Sequence, residues 1–92
     1  MGLNISIERM PGWKRDKRFD YVRHSGDVAF ATTDAIEWTH HPEDAEMRRP
    51  VDIEAARRWV RGNVTPAANA QRLLDGLDML ARDAGLWMSF GW

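Results

Sequence analysis

Two segments of this 92-residue chain alternate. Leu3, Ile5 and Ile7 are separated by Asn4 and Ser6, and Leu86, Met88, Phe90 and Trp92 are separated by Trp87, Ser89 and Gly91. A period of two places every second side chain on one face of a sheet, so each segment reads as a half-buried strand. Such rows of large apolar groups aggregate when left loose. Both segments are therefore expected in one sheet, as neighbours. That arrangement predicts one closed unit with little tail for tethering or targeting.

The segment between them is less regular. Met10-Pro11-Gly12 breaks the first strand, and Trp13 to Asp20 reads as a polar, basic connection. Phe19, Tyr21 and Arg23 alternate with Asp20 and Val22, which permits a short second strand closed by Ser25-Gly26-Asp27. Residues 28–33 mix β-branched residues with alanine, so strand and helix both stay open there. Asp34 with Glu37 three positions on resembles a capping box and predicts a short helix through about Trp38. His40-His41-Pro42 interrupts it. Pro42, Glu43 and Asp44 read as one further helical turn, ended by Arg48-Arg49-Pro50.

Helical spacing is plain further on. Asp52 is placed to cap a helix over 53–61, in which Ile53, Ala56, Trp59 and Val60 form an apolar stripe before Gly62-Asn63 stops it. Thr65 as cap and Pro66 at the first helical position start a second helix over 66–84, ended by Gly85. Its apolar face is Ala70, Leu73, Leu74, Leu77, Leu80, Ala81 and Ala84, with Gln71, Arg72, Asp75, Asp78, Arg82 and Asp83 on the wet side. The expected fold class is therefore α+β: a small antiparallel sheet that includes the N- and C-terminal strands, covered on one face by two or more helices. Residues 1–92 make a single domain, since a chain of this length supports one core.

Composition excludes several chemistries. There is no cysteine, so disulfides, thiolate metal sites and cysteine nucleophiles are out. No apolar run approaches the ~18 residues of a membrane span, and no signal-peptide pattern opens the chain, so a cytoplasmic location without membrane contact is expected. Adjacent His40 and His41 with Glu43 and Asp44 carry metal-ligand residue types, but neighbours in sequence do not converge on one ion from a regular element, and solvated histidines fit better. His24, Ser25 and Asp27 lack the spatial assembly of a nucleophilic triad and read as turn and cap residues. No phosphate loop or dinucleotide fingerprint is present. No enzyme activity, metal or cofactor is expected.

Binding is the remaining class. The net charge is −1, but Lys14, Arg15, Lys17, Arg18 and Arg23 cluster ahead of an acidic stretch from Asp27 to Glu46, and Arg48, Arg49, Arg57, Arg58 and Arg61 follow it. Pairing of the acidic middle with the flanking basic stretches explains this blandly; a two-pole surface that steers a charged partner explains it otherwise. Five tryptophans are a high load for this length. Trp59 and Trp92 lie on apolar faces and read as core. Trp13, Trp38 and Trp87 are either exposed or covered by the middle of the chain. Tryptophan and arginine carry binding energy at protein interfaces, which makes Trp13, Arg15, Arg18, Tyr21, Arg23 and Trp87 the candidate contact residues for a protein partner. The alternative partner is nucleic acid, through Lys14, Arg15, Lys17, Arg18, Arg57, Arg58 and Arg61, although a pI near 6.3 is low for that role. Self-association through the last strand or an uncovered sheet face is a third reading.

Gly2 to Ile7, the Tyr21 to Asp27 turn and the closing Leu86-Trp87 to Phe90-Gly91-Trp92 together resemble small uncharacterised proteins of bacteriophages and prophages. The resemblance implies no activity and no residue roles. It does imply an accessory protein that acts by binding a host or phage protein, as a modulator of a host protein would.

Overall fold

A computed structural model describes residues 4–19, 22–23 and 25–91. In chain order the elements are β1 (Asn4–Arg9), β2 (Lys14–Arg15), β3 (Val22–Arg23), α1 (Ser25–Thr32), β4 (Trp38–His41), β5 (Asp44–Pro50), α2 (Ile53–Asn63), α3 (Ala67–Arg82) and β6 (Leu86–Gly91). The fold is α+β, with a six-stranded antiparallel sheet ordered β2-β1-β6-β5-β4. β3 lies beside the Asn4–Ile5 end of β1, on the edge whose other end is taken by β2. β1 and β6 are neighbours in register from Asn4↔Gly91 to Arg9↔Leu86, as their alternation predicts. Leu3, Tyr21, His24 and Trp92 fall outside the described residues.

Directly opposed residues share a face of an antiparallel sheet. One face thus carries Ile5 and Ile7 with Phe90, Met88 and Leu86, all at most 1% exposed. Leu73, Leu77 and Leu80 of α3 and Ala56 and Val60 of α2 complete this core, and burying each large aliphatic side chain is worth roughly 1.5 to 3 kcal/mol. Phe30 of α1 sits at its centre, with ring centroids 5.2 Å from Trp38, 6.0 Å from Trp59 and 6.3 Å from Phe90.

The opposite face holds Ser6, Glu8, Trp87, Ser89 and Met47, of which Ser6 and Met47 are buried and the other three half-buried. Met47 is 2% exposed and Ser6 7%. The β4–β5 hairpin reaches over part of it. Its ladder runs from Trp38↔Pro50 to His40↔Arg48 and then jumps to His41↔Asp44, which leaves Ala45, Glu46 and Met47 bulged. Such a bulge bends the hairpin. Its tip lies over the sheet, where the His41 ring meets Trp87 edge-on at 4.8 Å and Asp44 accepts the indole N–H of Trp13 at 3.1 Å.

Several local expectations give way. Asp34 does not cap a helix. Thr33 Oγ1 accepts the Ala35 N–H in a tight turn, the Glu37 carbonyl is drawn to the Val51 N–H, and Trp38 is pulled onto Phe30 and Phe90 as a strand residue. Pro42 and Glu43 form a hairpin turn rather than a helical one, since His41 of β4 and Asp44 of β5 pair across them. Residues 28–32 are helical, within α1. The 13–20 connection contains β2. In α2 the Asp52 carboxylate accepts the Ala55 N–H, the cap expected of it, and the helix runs on to Asn63. Pro66 takes the cap position of α3 in place of Thr65, with no side-chain hydrogen bond, and α3 ends at Arg82 rather than at Gly85. Ala81 and Ala84 are exposed, whereas Asn69 and Gly76 are buried.

Candidate functional site

The turn between β1 and β2 exposes the side chains that the sequence marks for binding. Gly12 has φ 108° and Trp13 φ 49°, both in the left-handed region, where a residue with a Cβ is held at a cost of roughly 1 to 2 kcal/mol. This geometry reverses the chain sharply and leaves the Trp13 side chain outside the core. Trp13 is 47% exposed, one of two large apolar side chains so exposed among the described residues, the other being Val51.

Beside this turn lies a cleft of about 440 Å³ lined by Arg9, Lys14, Arg15, Asp16 and Lys17. Its charges are ordered by two ion pairs. Asp16 accepts the backbone N–H of Arg18 at 3.0 Å and the Arg18 guanidinium at 2.9 Å and 2.5 Å, a grip that lowers the carboxyl pKa to about 2. Arg9 donates to Asp83 at 2.6 Å, and Asp83 also accepts the Gly85 N–H. The hydrogen bond from Arg9, then that from Gly85, holds the Asp83 carboxyl below its ordinary range and raises Arg9. Both carboxylates thus stay ionised and engaged. Lys14 and Lys17 have no ion-pair partner among the described residues.

The other candidates disperse. Trp87 is half-buried between His41 and the Arg49 guanidinium, which stands 5.9 Å from its ring centre, so it serves the fold. Tyr21 lies outside the described residues, and Arg23 contributes its backbone to β3. Arg57 is committed to Glu54 and, at 2.7 Å, to Asp78 of α3. Arg58 and Arg61 are exposed on α2. A second cleft, of about 350 Å³, is lined by Arg18, Asp75, Asp78, Met79 and Arg82. Carboxylates therefore interrupt the surface between the two basic rows. His40 Nδ1 meets the Ala45 carbonyl at 2.8 Å and His41 Nδ1 accepts the Glu43 N–H at 3.1 Å, so both histidines hold the hairpin together. The acidic middle does not pair with its basic flanks in the four described ion pairs; Asp34, Glu37, Glu43 and Glu46 are exposed.

No family model, curated protein or solved structure matches the chain.

Arg9, Arg48 and Arg49 escaped the sequence reading. Arg9 continues the alternation of β1 one step past Ile7, the one available hint that it lines the same sheet. Arg48 donates to the Ala31 carbonyl and lies 4.9 Å from the Phe90 ring centre. Arg49 donates to the carbonyls of Leu80 at 2.8 Å, Asp83 at 3.3 Å and Leu86, and burial draws its pKa down. Nothing in their spacing distinguishes these two from solvated arginines.

Proposed function

We propose that this protein is a non-enzymatic accessory module that binds a protein partner through the Trp13 turn and the adjoining β2 edge. The observation that carries the reading is the exposed Trp13 beside a cationic cleft: a rigid aromatic anchor with charges around it is the composition of an interface hot spot. Trp13, Arg15 and Arg18 belong to this surface together with Lys14 and Lys17. A nucleic-acid ligand is the second reading, supported by the same lysines and opposed by Asp75 and Asp78, which break the path toward Arg58 and Arg61.

The test is capture from bacterial lysate, the source to which the likeness to phage-encoded proteins points, with and without nuclease. Retention of a protein that survives nuclease and is lost with Trp13→Ala supports the first reading. Retention abolished by nuclease replaces it with the second. An empty capture in both arms removes both.

A further inference from the structure

We propose that the cleft lined by Arg9, Lys14, Arg15 and Lys17 is a binding site for a phosphate-monoester dianion carried on the protein partner. This rests on the partner-binding reading and names the group recognised. Two facts point to a dianion rather than to a lone carboxylate.

The first is the charge balance. Asp16, the acidic residue of the lining, is saturated by Arg18, and Arg9 is balanced by Asp83, so neither pair alters the net potential of the cleft. Glu8 stands directly across from Arg15 on the neighbouring strand. Lys14 and Lys17 are left as two compact positive charges with no ion-pair partner among the described residues. A monoester phosphate brings close to two negative charges and three strong acceptor oxygens.

The second is the form of the donors. The Arg9 guanidinium is already held by both carboxylate oxygens of Asp83, so the donors left for a ligand are the rotatable ammonium groups of Lys14 and Lys17, which can meet one group with several oxygens from two sides. The cleft opens beside Trp13, whose exposed ring is available to residues flanking the phosphate.

The experiment uses the full chain and follows backbone amides by NMR at low salt. Inorganic phosphate, O-phosphoserine, serine, glutamate and a 12-nucleotide oligothymidylate are the probes. Phosphate and O-phosphoserine should shift the Lys14 to Lys17 amides in a saturable way, with O-phosphoserine about tenfold tighter than glutamate and no response to serine. Affinity should fall as pH drops through about 6, where the monoester loses its second charge. Lys14→Gln with Lys17→Gln should abolish the shifts and leave the melting temperature unchanged. Shifts spread evenly over Arg58, Arg61 and other surface cations overturn the site. So does glutamate binding as tightly as O-phosphoserine. Oligothymidylate binding that far exceeds both, with a steep salt dependence, transfers the cleft to nucleic acid. If phosphate fails while nuclease-resistant capture still depends on Trp13, the partner reading stands and the phosphate inference falls.

Discussion

The Phe19 ring lies against the backbone of Gly76: a Cβ built at position 76 would stand 2.7 Å from Phe19 Cε1 and 3.2 Å from Ile7 Cδ1. The glycine lets α3 settle onto β1 with the ring wedged beneath it. In an exposed helix, Gly→Ala gains about 1 kcal/mol, whereas an extra carbon in a packed core costs about 1 to 3 kcal/mol. Gly76→Ala is therefore expected to destabilise the protein by about 1 kcal/mol, and Phe19→Leu in the same chain should recover part of that loss. Urea unfolding with an unchanged slope checks both.

Arg49 ties β5 to the end of α3 by donating to the carbonyls of Leu80, Asp83 and Leu86. The Leu80 carbonyl lies in the last turn of α3, where carbonyls have no partner within the helix, and a cation near it is favoured by the helix dipole. Arg49→Met keeps the stem and removes the donors. It should cost about 2 to 4 kcal/mol, because the half-buried carbonyls lose charged donors. The matched control is Arg58→Met on the exposed side of α2, expected to change stability by less than about 0.5 kcal/mol.

The Asp16 carboxyl titrates at about 2, against 3.8 for the free group, because Arg18 hydrogen-bonds its charged form. A depressed carboxyl pKa contributes stability above the unfolded-state value and loses it as pH falls through the folded value. The Asp16–Arg18 contribution is thus fully present above about pH 4 and fades toward pH 2. Carboxyl-detected NMR should place Asp16 near 2 in the parent chain and move it upward, part of the way to 3.8, in Arg18→Ala, which removes the guanidinium but keeps the backbone N–H of residue 18. An unmoved titration in that variant would refute Arg18 as the cause.

Met47 reports whether the outer face of the sheet is sealed. It lies in β5, shares that face with Ser89 and is 2% exposed. Met47→Ala is expected to cost about 2 to 4 kcal/mol, while Val51→Ala, at a side chain 58% exposed, should cost little. Equal, small effects at both positions would mean that Met47 is not packed on that face.

Asn69 is 3% exposed, and its Nδ2 has no hydrogen-bond partner among the described residues. An unpaired buried amide opposes folding, and alanine is the better helix former. Asn69→Ala should raise the unfolding free energy by about 1 kcal/mol, read from the denaturation midpoint.

Periodicity accounts for the part of the fold that is legible along the chain. Alternation placed β1 and β6 in one sheet as neighbours, and the three-to-four spacing of Ile53, Ala56, Trp59 and Val60 and of Leu73, Leu77 and Leu80 marked the faces of α2 and α3. These patterns are local, since a repeat of two or of 3.6 is set by backbone geometry alone. The binding surface was legible in part, because Trp13 and the run from Lys14 to Arg18 are contiguous in the chain. Contacts between residues distant in the chain set the rest. Residues 34–46 carry helix-like capping signals, yet they form a turn and a hairpin because Trp38 gains more from the Phe30 and Phe90 rings than a short helix gains from its cap. Trp87 and Arg49 serve the fold, and Arg9 joins the cleft, through contacts with residues remote in sequence. No nearest-neighbour pattern encodes which distant side chain will stand opposite a given one, so burial and charge pairing become readable once the sheet has closed.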